Sequence, residues 1–69
     1  MKLSARNMLK GKVVKVTAGA VNNEIVLELP GGQQIVSIIT KTSSDNLGLK
    51  VGKEAYAVIK ASSVMIAVD

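Results

Sequence analysis

Between Glu24 and Leu29 the chain has a period of two: Ile25, Leu27 and Leu29 share one face, Glu24 and Glu28 the other. A period of two belongs to an extended strand with one buried face, because successive side chains of a strand point to opposite sides of its sheet. Pro30-Gly31-Gly32 follows directly and turns the chain. The next run, Gln33 to Thr40, is rich in Ile and Val and pairs back on its predecessor as a hairpin. Upstream, Lys12-Val13-Val14-Lys15-Val16 reads as a further strand, separated from Val21 by the turn signal Thr17-Ala18-Gly19-Ala20.

The alternation breaks at Thr42-Ser43-Ser44-Asp45-Asn46-Leu47-Gly48. Here Thr42 or Ser43 can cap a helix, Asp45 favours its first turn, and Gly48 can end it in the left-handed conformation, so about one helical turn is expected. Ala55 to Lys60 and Val64 to Val68 then read as two more strands, with a break around Ala61-Ser62-Ser63. The order predicts an all-β fold, a five-stranded barrel of the oligonucleotide-binding (OB) type with one short helical turn between strands 3 and 4, formed by a single domain over residues 1–69. No internal repeat, linker or low-complexity stretch interrupts it.

So small a chain buries little surface and ordinarily needs a staple. The sequence has no Cys, hence no disulfide or thiolate metal site, and no His, hence no imidazole base or zinc site of ordinary composition. Tyr56 is the only aromatic, yet 48% of the residues are hydrophobic, more than a core of this size can hide. A homo-oligomer with a shared aliphatic core is the expected solution. No apolar run approaches the roughly 18–20 residues of a membrane span. Lys2 and Arg6 are followed by no apolar stretch or small-residue cleavage site, so no membrane association is expected and the cytoplasm is the default location. Acids confined to Glu24, Glu28, Asp45, Glu54 and Asp69, without His or Cys, offer no acid–base pair or activated nucleophile, so no enzyme is expected.

Nine Lys and Arg against five Asp and Glu give a net charge of +4, and Lys2, Arg6, Lys10, Lys12 and Lys15 all precede the first acid. An anionic partner follows from this balance. Lys10, Lys12 and Lys15 read as a solvated basic edge that discourages strand pairing with other molecules. Ser4-Ala5-Arg6-Asn7 and Lys60-Ala61-Ser62 are different, because a hydroxyl, a permanently charged guanidinium and an ammonium beside small residues are the donors a tetrahedral dianion needs.

With Leu9-Lys10-Gly11-Lys12-Val13, Ile38-Ile39-Thr40, Val58-Ile59-Lys60-Ala61 and Val64-Met65, the opening Met1 to Asn7 resembles the molbindins, small molybdate-binding Mop proteins, over essentially the whole chain. The resemblance implies a free-standing cytoplasmic binder of molybdate or tungstate, built as a five-stranded barrel and assembled as a hexamer, a trimer of dimers, with anions held between subunits. Molybdenum would be carried as an oxyanion and not as a bare cation, and no organic cofactor is implied. Carried over position by position, the ligands are Ser4, the Ala5 backbone, Arg6, Lys60, the Ala61 backbone and Ser62, with Thr40 and Ser43 completing the pocket from a neighbouring subunit. A second interface site, built on main-chain amides, would use Gly19-Ala20-Val21.

Local chemistry gives several of these residues a second reading. Ser4 can start a strand, Arg6 can be a surface charge, Lys60 a solvated edge lysine, Thr40 a strand end and Ser43 a helix cap, while Asn7 can brace a turn through its amide. On the binding reading there is no catalysis. Hydroxyls, amides and cationic side chains satisfy the oxygens of the dianion, and a rigid ring of donors spaced for molybdate or tungstate holds the smaller sulfate loosely. The role is storage, buffering or delivery of the oxyanion. The alternative is a small basic nucleic-acid-binding barrel, against which the single Tyr stands, since such surfaces stack bases on aromatic rings.

Overall fold

The computed structural model describes residues 1–69. It contains β1 (Asn7–Ala18), β2 (Asn22–Glu28), β3 (Gln34–Thr40), the helix α1 (Lys41–Leu47), β4 (Glu54–Ile59) and a 3₁₀ turn at Ala61–Ser63. The strands make one antiparallel sheet in the order β3-β2-β1-β4. No helix is long and apolar enough to cross a membrane.

β1 organises the sheet because its two halves pair with different partners. Asn7 to Lys12 run against Ile59 to Glu54 of β4, and Lys12 to Ala18 run against Glu28 to Asn23 of β2. The register shifts between Val13 and Lys15, a bulge that bends the strand and increases its twist. Gly11, buried just before the bend, permits the close approach: a Cβ there would stand 2.8 Å from the Glu28 carbonyl oxygen. The sheet therefore curls, bringing the inner faces of β3 and β4 to opposite walls of one apolar groove.

The core is small. Val13, Ile25 and Leu27 are buried and pack with the half-buried Val16, Ile35, Ile39, Leu49, Ala55 and Ala57. Each of the three contributes about 1.5–3 kcal/mol by leaving water. Burial alternates along β3 and β4, as strands with one inner face require. Much of the apolar content stays outside, including Val36 and Ile38 on β3, Tyr56 and Val58 on β4, and Met65, Ile66 and Val68 beyond the last turn.

Three expectations need correction. The helix has seven residues, not about one turn, and its cap is Thr40 in place of Thr42 or Ser43: the Thr40 hydroxyl accepts the Ser43 amide at 3.1 Å. Asp45 consequently lies beyond the first turn. Gly48 ends the helix as expected, left-handed at φ 62°, with its amide on the Asp45 carbonyl and the Leu49 amide on that of Ser44. β1 is longer than Lys12–Val16, because the bulge and Gly11 hide its alternation. The fifth strand does not form in the single chain. Val64 to Val68 carry a strand-like sequence but pair with nothing, so four strands make a curled half-barrel.

Gly11→Ala should destabilise the protein by about 1–3 kcal/mol, since the added methyl meets backbone that cannot yield as a side chain would. Urea unfolding of the two proteins checks this, and equal midpoints would contradict it.

Candidate oxyanion-binding site

The pairing of Asn7 with Ile59 closes the β1–β4 ladder at one end of the sheet. The residues just before β1 and just after β4 are therefore neighbours. Ser4, Ala5, Arg6, Lys60, Ala61 and Ser62, with Val58, line one open cavity of about 560 Å³.

Its charged side chains are both cations, and its amides and hydroxyls are largely unused within the chain. The amides of Ser4, Ala5, Arg6 and Lys60 make no hydrogen bond within the chain. Ala61 and Ser62 open the 3₁₀ turn, whose bonds begin only with the Ser63 amide on the Lys60 carbonyl at 2.9 Å, so the turn leaves their amides unused. The hydroxyls of Ser4 and Ser62 are also without partners in the chain. No carboxylate lines the cavity, and the one salt bridge of the protein, Lys10 with Glu54 at 3.3 Å, lies elsewhere on the β1–β4 pair. Two full positive charges thus stand beside several amides with no acid to neutralise them, an arrangement that favours an anion. Ser4, Arg6, Lys60, Ala61 and Ser62 are all exposed, so in one chain solvent weakens every such contact. No group of carboxylates is arranged to hold a bare cation.

Asn7 does not brace a turn: it is the first residue of β1, and its side chain makes no hydrogen bond within the chain. Thr40 and Ser43 lie away from the cavity. Asn22 pairs with Thr40 while its neighbour Asn23 pairs with Ala18, placing Thr40 by the far end of β1 from Asn7. There the Thr40 hydroxyl donates to Ser43 Oγ at 2.9 Å. Gly19-Ala20-Val21 share that end. The Gly19 amide donates to the Asn22 carbonyl at 2.8 Å and the Lys41 amide to the Val21 carbonyl at 3.0 Å, which leaves the amides of Ala20 and Val21 without intrachain partners. One chain therefore groups Thr40 and Ser43 with the second proposed site and not with Ser4 and Arg6. Sequence pattern does not single out Val58 in the first cavity, nor Lys41 beside Val21; the only available signal for Lys41 is its position next to Thr40.

The TOBE domain family model matches residues 3–66. The chain belongs to the TOBE domain family. Among its relatives is the probable molybdenum-pterin-binding protein of Haemophilus influenzae, 49% identical over the full length of both chains. The TOBE fold seen here superposes on MopII from Clostridium pasteurianum with a TM-score of 0.92 at 51% identity, covering 97% of this chain and all of that one. It also superposes on the cytoplasmic molybdate-binding protein ModG in a molybdate-bound form, with a TM-score of 0.91 at 52% identity, covering 94% of this chain and 46% of that one. The resemblance to Mop proteins carried by the opening and closing segments of this TOBE domain is borne out by these relatives.

Thr40→Ala should cost about 1 kcal/mol of stability through loss of the helix cap. Ser4→Ala should change stability by less than about 0.5 kcal/mol, because the Ser4 hydroxyl has no partner in the chain. Paired urea titrations separate the two, and the reverse ranking would contradict the assignment of Thr40 as the cap.

Proposed function

We infer that this protein binds molybdate or tungstate in the cavity of Ser4, Ala5, Arg6, Lys60, Ala61 and Ser62, between copies of the chain, and serves as a cytoplasmic store, buffer or carrier of the oxyanion. The observation that carries the reading is the collection of unpartnered amides and hydroxyls around Arg6 and Lys60, with no carboxylate among them. The relatives named for molybdate and molybdenum-pterin agree with it. Guanidinium and ammonium supply charge; neutral amides and hydroxyls supply direction without titrating near neutrality. A tetrahedral dianion presents acceptors on every side, which these amides, hydroxyls and cations can satisfy.

A bare oxyanion fits this chemistry better than a pterin conjugate. A pterin ring needs a flat apolar or aromatic surface to stack on. Tyr56, the only aromatic, lines a different cavity, the groove between β3 and β4. Nothing is available for acid–base or nucleophilic chemistry, so the domain over residues 1–69 acts by binding alone.

The exposure of the cavity and of so many large aliphatic side chains supports assembly into a homo-oligomer, on the Mop pattern a hexamer arranged as a trimer of dimers. In it a neighbour would cover the cavity, lowering the local dielectric and strengthening each charged hydrogen bond. Thr40 and Ser43, held at the other end of the sheet, would reach an anion only from a second copy. Gly19-Ala20-Val21 would offer the Ala20 and Val21 amides to a second anion at an interface.

Isothermal titration calorimetry with molybdate, tungstate, sulfate and phosphate tests the reading. Molybdate and tungstate should bind far more tightly than sulfate or phosphate. Arg6→Ala and Lys60→Ala should each lose about 1.5–3 kcal/mol, roughly ten- to hundredfold in Kd. Absence of any oxyanion binding to the folded protein would overturn it and make single-stranded nucleic acid the next ligand to try.

A further inference from the structure

α1 has one apolar side chain in seven residues, Leu47, and that one is 59% exposed. A helix in a globular protein is ordinarily held by an apolar face laid on the core, and one this short is not stable by itself. α1 has no such face. It packs on β2 and β3, yet its only buried residue is Ser44, at 3% exposure. What holds it lies at its ends: the Thr40 cap, the left-handed Gly48, the Lys53 ammonium on the Leu47 carbonyl, and Leu49 packed against the core.

The sheet at the start of α1 is polar too. Asn22 pairs with Thr40, so the helix begins beside the first residues of β2. There Asn23 takes the place on the core face that Ile25 and Leu27 hold further along the strand, with Ala18 and Ile39 as its partners on either side. Asn23 is 8% exposed, and its side-chain carbonyl oxygen is buried without a hydrogen bond from the chain. A buried acceptor without a donor is disfavoured, whereas an apolar side chain of similar shape in the same place is not. Apart from the Lys41 amide on the Val21 carbonyl, no backbone hydrogen bond ties α1 to the sheet, so the helix can leave without breaking a ladder.

We propose that α1 is a lid on a polar seat: it swings off β2 between Thr40 and Leu49 while the sheet stays folded. The closed lid buries Ser44 and leaves the Asn23 carbonyl without a donor; the open lid gives both to water. Ser43 rides on the lid and Thr40 caps it. On the functional reading above, which this consequence alone depends on, opening withdraws both hydroxyls from the anion of a neighbouring copy and so governs its release.

Amide hydrogen exchange on the full chain, without any oxyanion, tests the lid. The Gly48 and Leu49 amides, which close the helix on the Asp45 and Ser44 carbonyls, should exchange at least about a hundredfold faster than the central amides of β2. Their rates should not respond to low urea, since a local opening exposes little surface, whereas those of β2 should rise with it. Asn23→Leu combined with Ser44→Ala gives the lid an apolar seat and should slow the helix amides relative to β2 by about tenfold or more. Ser44→Ala alone, the milder change, should slow them in the same direction. A change in global stability alone would move both sets of amides and leave their ratio untouched. Helix amides that exchange only with β2, and with the same urea dependence, overturn the lid, and this measurement on the natural chain decides whether or not the double variant folds. A ratio unchanged in the folded variants overturns the role of the seat. Because oxyanion is absent throughout, failure here is distinct from failure of the calorimetric test.

Discussion

A curled four-stranded antiparallel sheet whose edge strands β3 and β4 do not pair is the condition on which the rest of this molecule depends. The bulge between Val13 and Lys15, with Gly11 beside it, bends β1 so that β4 and β2 can use successive parts of the same strand. The same bend turns β3 and β4 toward each other without letting them pair. Val13, Ile25 and Leu27 are then the only members of the central cluster that are truly buried, and a large share of the aliphatic side chains is left facing outward. Those outward faces are what the proposed assembly with other copies of the chain would cover.

The geometry of β1 and β4 also makes the candidate cavity of Ser4, Arg6 and Lys60. Their ladder ends at Asn7 and Ile59, so the two segments that run off it stay side by side as irregular backbone with amides unused by any ladder. A strand at that place would have spent those donors on its neighbour. The salt bridge between Lys10 and Glu54 lies on the same strand pair but consumes neither Arg6 nor Lys60. Charge without a counter-charge, beside unused amides, is costly to cover unless an anion is covered with it. On the proposed reading, assembly and ligand capture are in that sense one problem for this chain.

The hairpin of β2 and β3 was legible in sequence, since Glu24 to Leu29 bears the period of two, Gln33 to Thr40 is rich in Ile and Val, and Pro30-Gly31-Gly32 stands between them. The helix was legible in kind and in its Gly48 end. Its start was misplaced because Thr40, Thr42 and Ser43 are all competent caps, and only the end of the β3 ladder decides among them. The first residues of β1 were obscured by the bulge, which breaks alternation without breaking the strand. Val64 to Val68 show why a strand pattern is not a strand: sequence specifies an apolar face, whereas a ladder also needs an edge to join. For the site, residue chemistry pointed to Ser4, Arg6 and Lys60. That the first two adjoin the third follows from the register of β1 with β4, a long-range fact no local pattern contains. The separation of Thr40 and Ser43 from that group follows from the sheet order and was equally hidden.

The most direct test of the account is anomalous diffraction at the molybdenum edge from crystals grown with molybdate. A strong peak within hydrogen-bonding distance of Arg6, Lys60 and the amides of Ala5 and Ala61 is the predicted result. A molybdenum peak only at places remote from that cavity, or none at saturating molybdate, would contradict the assignment of this donor cluster as the binding site.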